Sequence, residues 1–452
     1  MIVSDGVSAL VRAAADAVRS SVGERAGDVV EDALHRTLEH TITIEDDGTA
    51  FVITGDIPAM WMRDSTTQML PYLRLVQAAG PSATAPLATG ARELADVLVA
   101  VARRQFASIA HDPYANAFNR GPTGAHYDDR DLCDDPTVWE QKYEVDSLAY
   151  PVQFAAAVHR ASGRTDHLGP EAHAVARTIV DQLRLETDHE RSPYRFVRDV
   201  PEPTETLVRD GRGTPVAVTG MTWCGFRPSD DACTYGYNVP ENLHAASALG
   251  DLATLAADVW SDDALAADAT ALREGILRGV SEHGVVPHPR DPDARIYAYE
   301  VDGLGGVVLM DDANTPSLLS LPLDAPDVLD PSVAAATRAF ALGPDNPYWF
   351  SGAVAAGIGS PHTEPHRVWP IALAVEGLTG TPSRRLELLD VLLGTDAGTG
   401  RMHESFDVDD PSAFSRPWFS WADAMFCELA FAAVADAGAS ITSAPSVAEV
   451  TT

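Results

Sequence analysis

The chain has 452 residues, with 32 Lys and Arg against 66 Asp and Glu, a formal net charge of −34 and 45% hydrophobic residues. That much apolar material builds a sizeable core and excludes wholesale disorder. So acidic a balance excludes nucleic acid as a partner, because phosphate neutralisation needs clustered Lys and Arg.

Helical periodicity dominates. Val7, Leu10, Val11, Ala14 and Val18 recur at three- and four-residue steps and give one apolar face. Similar patterns predict helices over 24–40, 66–79, 87–108, 147–162, 170–184, 241–249, 252–279, 314–321, 331–341, 368–378, 382–394 and 418–437. Short extended pieces are predicted at 41–44, 50–54, 216–219 and 296–301. Residues 438–452 are small and polar and are expected to form a flexible tail. No Pro/Gly/Ser linker, composition break or repeat divides 1–437, which reads as one all-α domain. About a dozen helices in consecutive pairs, joined by aromatic and acidic connections, predict a helical toroid whose loops line one central pocket.

Residues 1–21 lack the basic start, continuous apolar core and cleavage motif of a secretory signal. No apolar run approaches the ~18 residues that span a bilayer. Cys133, Cys224, Cys233 and Cys427 are too scattered for a disulfide framework. A cytoplasmic protein with no membrane partner is the expectation. Lys142 is the sole lysine, so the chain has no Walker-type phosphate loop.

The chemistry sits between the helices. In GDIPAMWMRDS (55–65), a turn presents Trp61, Arg63 and Asp64 ahead of a helix. A sugar site needs an aromatic surface for C–H faces, and carboxylate and guanidinium groups for bidentate bonds to vicinal hydroxyls. The same stretch also reads as a capped helix with a buried Trp and a structural Arg–Asp pair. In GFRPSDDACTYGYN (225–238), adjacent Asp230 and Asp231 disfavour joint ionisation, which would raise one pKa toward that of a general acid; solvated turn residues are the plainer alternative. In MHESFDVDD (402–410), Glu404 lies between His403 and Ser405, ahead of the aromatic RPWFSW (416–421). Two separated loops, each offering a carboxylate, fit the acid and base of a glycosidase. Metal motifs fail on spacing: His403-Glu404 begins no HExxH, and Asp407, Asp409 and Asp410 lack the glycine and distal glutamate of an EF-hand. No metal or other cofactor is expected.

TGDIPAMWMRDS, KYEVDSLAYP, TGMTWCGFRPSDDACTYGYNVP, YAYEVDGLGG, LMDDANTPSLLSLP, NPYWFSG, GIGSPHTEP and MHESFDVDDP together closely resemble glycoside hydrolase family 125. The resemblance runs in order from about Asp5 to Ala437. It implies an (α/α)6 toroid and a metal-independent exo-α-1,6-mannosidase that acts with inversion on α-mannose-containing oligosaccharides. It also implies a general acid in the RPSDDA block, Asp230 or Asp231, and a general base at Glu404. Trp61, Arg63, Asp64, Asp312, Asn314, His362 and His403 would hold the terminal mannose. The rival readings are another glycosidase activity on the same toroid, and a sugar-binding or epimerising protein without hydrolysis. A paired acid and base counts against the latter.

Overall fold

In the computed structural model, which describes residues 3–80, 83–127 and 129–442, the apolar stripes read from the sequence face one another in pairs. The helix Asp5–Ser21 starts where Ser4 Oγ accepts the Val7 amide. It buries Val7, Leu10, Val11, Ala14 and Val18 against the helices Glu24–His40 and Ala85–His111. Gly6 and Gly90 let two of these backbones touch: a Cβ on Gly90 would stand 2.2 Å from the Gly6 carbonyl oxygen.

Six segments form an inner ring. They are Met62–Thr67 continued by Leu70–Ala78, then Asp146–Ser162, Val239–Asp258, the single turn Leu321–Asp324, Pro370–Leu378 and Ser420–Asp436. The first packs on the second, the second on the third and the third on Leu321–Asp324, while Pro370–Leu378 packs on Ser420–Asp436, which returns to the first. Around them run the two N-terminal helices, Ala85–His111, Pro170–Leu185, Asp263–Gly279, Pro331–Ala341 and Pro382–Gly394. The two rings differ as their surroundings require. Residues 420–431 of the last inner helix are buried without a break, whereas Asp5–Ser21 buries one face. The molecule is an all-α (α/α)6 toroid.

The inner helices share a direction, and the connections entering them are tied by small antiparallel ladders. Met60–Trp61, Ala117–Phe118 and Val138–Glu140 form one ladder; Tyr237–Asn238, Glu300–Val301 and Val307–Val308 a second; Arg367–Val368, Ser405–Asp407 and Phe414–Ser415 a third. Each brings to one mouth of the ring a block that the sequence singled out.

Several boundaries differ from expectation. The predicted helix 66–79 starts earlier and breaks after Thr67, resuming at Leu70 with Pro71 in its first turn. The predicted break near 250 is absent: Val239–Asp258 runs through it, and the chain turns at 259–262, where Asp262 caps the next helix through the Leu265 amide. The predicted helix 314–321 is instead a series of turns. The Asp311 carboxylate accepts the amides of Leu318 at 2.8 Å and Leu319 at 2.9 Å, and such side-chain bonds compete with helix hydrogen bonds. Residues 216–219 form no strand, although Ala217 donates its amide to the Asp302 carbonyl. The stretch 296–301 is divided between Asp291–Tyr297 and Glu300–Val301. Of the predicted tail, 438–440 are exposed, and 443–452 lie outside the described residues. No helix among the described residues is long and apolar enough to cross a membrane.

Candidate active site

At the mouth where the inner helices begin lies a cavity of about 350 Å³. Each entering connection contributes to it. Trp61, Arg63 and Asp64 come from the first, Lys142 from the second, and Asp230 from the third. Asn314 comes from the fourth, His362 and Trp369 from the fifth, and Glu404, Arg416, Phe419 and Trp421 from the sixth. Helix N-termini favour anions, which suits a mouth this rich in carboxylates. Glu241 joins two of those starts: its Oε2 accepts the amides of Val145 at 2.6 Å and Asp146 at 3.2 Å.

Arg63 is the hub. The strand Met60–Trp61 passes directly into a helix, so Arg63 and Asp64 fall on its first turn. Arg63 Nη1 donates to Glu144 at 2.9 Å and Asp146 at 3.0 Å, and Nη2 to Asp230 Oδ1 at 3.4 Å. The guanidinium also lies 5.6 Å from the Trp421 ring centroid. Burial pushes the Asp64 carboxyl up to about 6, against the opposing charge of Arg63.

The RPSDD loop separates its two aspartates. Arg227 donates its amide to the Asp231 carbonyl and accepts that of Asp230 at its own carbonyl, so the turn closes on itself. Asp230 takes a φ of 67°, a left-handed conformation uncommon outside glycine. The neighbours therefore serve different places. Asp230 faces the cavity, while Asp231, 1% exposed, accepts a hydrogen bond from His362 Nδ1 at 3.0 Å. The expectation that adjacency raises the pKa of one of the pair is not met at Asp230. Burial alone would raise that carboxyl, but Arg63, Lys142, a hydrogen bond with Glu144 and His362 hold it down to about 2. His362 responds in the opposite sense. Burial opposes its charge, yet the hydrogen bond and charge of Asp231, with Glu404 and Asp230 beyond, push it up to about 10.

Glu404 stands at the start of the strand Ser405–Asp407. Ser415 Oγ, from the paired strand, donates to Glu404 Oε2 at 2.8 Å, and Arg416 Nη1 lies 3.6 Å from Oε1. Arg416 is itself fixed by Thr54 at 3.0 Å, by Asp56, and by the Phe419 ring 4.2 Å away.

Two of the expected sugar contacts stand behind the cavity wall. Asp312 is buried and accepts from Ser229 Oγ at 2.9 Å, bracing the turn before Asp230. His403 stacks flat on Phe414 with centroids 3.7 Å apart. Its ring nitrogens lie 3.4 Å from the carbonyls of Arg416 and Asp396, so it supports the Glu404 strand. Among the described residues no three His, Cys, Asp or Glu side chains gather as metal ligands. The assembled groups suit a polyhydroxyl ring: aromatic walls, a guanidinium, and two carboxylates on different connections facing one space.

Residues 24–431 match the metal-independent α-mannosidases, glycoside hydrolase family 125. The chain belongs to this family. It is 41% identical to a metal-independent α-mannosidase from Streptococcus pneumoniae, seen in a non-productive complex with α-1,6-mannobiose. That likeness covers 94% of this chain and 98% of the other, with a TM-score of 0.88. It is also 37% identical over 412 residues to the Meiotically up-regulated gene 157 protein of Schizosaccharomyces pombe, covering 84% of this chain and 75% of that protein. A further glycosidase structure shares the fold at 14% identity, covering 91% of this chain and 97% of the other, with a TM-score of 0.53. As a member of family 125 the protein is a glycoside hydrolase of the α-mannosidase class.

Other residues at the cavity escaped the sequence reading. Glu140, Lys142, Arg198 and Glu205 form a closed charge cluster on one wall. Lys142 Nζ donates to Glu205 at 2.9 Å, and Arg198 bridges Glu140 and Glu205 at 2.8 Å each. The sole lysine, set in the acidic and aromatic block WEQKYEVDS, was the available signal. Asn116, fully buried behind the wall with its Nδ2 between Glu140, Glu144 and Asp230, offered none, since nothing in its stretch marks a site.

Proposed function

We propose that the protein removes terminal α-1,6-linked mannose from oligosaccharides by inversion, with Asp230 as general acid and Glu404 as general base. Of the two adjacent aspartates, Asp230 is the one on the cavity wall, and Asp231 orients His362. Asp230 protonates the leaving oxygen while Glu404 takes a proton from water attacking the opposite face. Inversion needs roughly 6.5–9.5 Å between the two carboxyls to admit that water. Ser415 and Arg416 hold the Glu404 carboxylate in place, so it accepts the water proton without reorienting. Trp61, Arg63, Asp64, Asn314 and His362 bind the terminal sugar, and Asp312 and His403 act through the groups they brace.

The observation that carries this reading is the convergence of Asp230 and Glu404 on one cavity with Arg63 and the aromatic walls. Membership of family 125 supports hydrolysis of α-mannosides, and the complex of the Streptococcus pneumoniae relative with α-1,6-mannobiose supports the linkage. Hydrolysis of α-1,6-, α-1,3- and α-1,2-mannobiose tests it. The 1,6-linked disaccharide is expected to be cleaved at least about 10-fold faster, by kcat/KM, than either other. Equal or reversed preference overturns the linkage assignment.

A further inference from the structure

Four carboxyls crowd one guanidinium at the wall of the cavity. Glu144 and Asp146 accept from Arg63 Nη1, Asp230 from Nη2, and Asp64 Oδ2 lies 3.7 Å from Nε. Glu144 is 1% and Asp146 0% exposed. Lys142 and His362 also favour the ionised form of Asp230, and Arg416 that of Asp64, but each is bound to a carboxylate outside the four: Lys142 to Glu205, His362 to Asp231 and Arg416 to Asp56. Desolvated carboxyls this close cannot all ionise around one positive charge, so the cluster retains a proton. Burial and the charges of Asp230 and Asp146 push the Glu144 carboxyl up, in spite of Arg63. Asn116 links it to Asp230, its Nδ2 lying 3.3 Å from Glu144 Oε1 and 3.4 Å from Asp230 Oδ1. Glu144 and Asp230 are also within hydrogen-bonding reach of each other.

This arrangement answers a difficulty in the mechanism. A general acid must carry a proton near neutral pH, while Arg63 and Lys142 beside Asp230 favour its ionised form. We propose that Glu144 is the positioning residue that keeps a proton available to Asp230, the two carboxyls sharing one proton directly while Arg63 and Asn116 donate to both. The proposal rests on Asp230 being the acid. In the chemical step the shared proton passes through Asp230 to the glycosidic oxygen as the C–O bond breaks, while water bonds to the anomeric carbon and gives a proton to Glu404. The pair is then doubly ionised beside Arg63. It regains one proton from solvent as Glu404 releases one, so each turnover balances. Ser147 Oγ also lies 3.5 Å from Glu144 Oε2.

The test compares Glu144→Gln with Asp230→Asn on α-1,6-mannobiose and on 2,4-dinitrophenyl α-mannoside, whose leaving group needs no proton. Glutamine keeps the shape of Glu144 but cannot share a proton. Glu144→Gln is expected to slow mannobiose hydrolysis by about 100-fold and to move the basic limb of its kcat–pH profile to lower pH. The dinitrophenyl substrate should keep its rate within about 10-fold. Equal losses on both substrates with an unmoved pH limb would mean a structural role and overturn the proposal. So would an Asp230→Asn variant that loses mannobiose activity beside a Glu144→Gln variant that retains it. If Asp230→Asn itself hydrolyses mannobiose normally, the underlying acid assignment fails instead. Carbon NMR of wild-type enzyme labelled at glutamate carboxyls keeps the claim testable should Glu144→Gln not fold. Burial beside Asp146 pushes the Glu241 carboxyl up as well, so the spectrum is taken in Glu241→Gln too: a glutamate signal still protonated at pH 7 in that variant is expected, and its absence counts against the proposal.

Discussion

Asp230 and Asp231 are chemically identical neighbours with different surroundings, and the separation comes from one backbone angle. With Asp230 at φ 67°, its side chain meets Arg63 while Asp231 meets His362. The sequence revealed the pair but not its division, because adjacency suggests mutual repulsion and says nothing of which cation each will find. A charged His362 follows from the fold: its pKa is pushed up to about 10 by Asp231, from an ordinary value near ~6.5. Because the folded value is the higher one, the stabilisation from the ion pair is complete below pH ~6.5 and lost as the pH rises to about 10. Nitrogen NMR of labelled histidine is expected to show one imidazolium persisting at pH 8. That signal should vanish in His362→Asn and revert to an ordinary titration in Asp231→Asn. A spectrum with every histidine neutral at pH 8 would contradict the pairing.

At the scale of elements, periodicity foretold the long helices well, since Asp5–Ser21, Glu24–His40 and Pro382–Gly394 carry apolar residues on one side, and Ser4 and Thr381 cap the first and last of them. It failed at 314–321, where two serines and the Asp311 carboxylate claim backbone amides that a helix would use. The apolar letters there are ring-facing residues of a turn, and composition cannot distinguish the two. The ladder strands, two or three residues each, are too short to leave a period-2 pattern. A tighter constraint lies between Asp5–Ser21 and Ala85–His111, which meet at Gly6 and Gly90. Gly90→Val would force those backbones apart and is expected to cost about 1–3 kcal/mol, read as a lowered midpoint in urea. The kcat on mannobiose should stay within about twofold, because helix packing in the outer ring, away from the cavity, leaves transition-state contacts intact. An unchanged midpoint would mean that the close approach carries no packing constraint.

The whole molecule is a device for bringing six connections to one mouth. Asp230 and Glu404 share a cavity only because inner helices of one direction close into a ring. That ring was legible from the number of periodic segments and from ordered blocks such as GDIPAMWMRDS and MHESFDVDD. The supporting groups were not. Asn116, Arg198 and Glu205 lie in unremarkable stretches, and only the folding of the connecting loops against one another brings them to Glu140, Lys142 and Glu144. Asp312 and His403, conversely, stood in conspicuous blocks but lie buried behind the wall. The central claim is that Asp230 and Glu404 form an acid and base spaced for a water molecule between them. It is tested most directly by proton NMR during the first minutes of α-1,6-mannobiose hydrolysis, before mutarotation mixes the anomers. Direct attack by water predicts β-mannose as the first-formed sugar. An initial α-anomer would mean retention, with Glu404 as nucleophile and a carboxyl separation of about 5–5.5 Å, and would contradict the account.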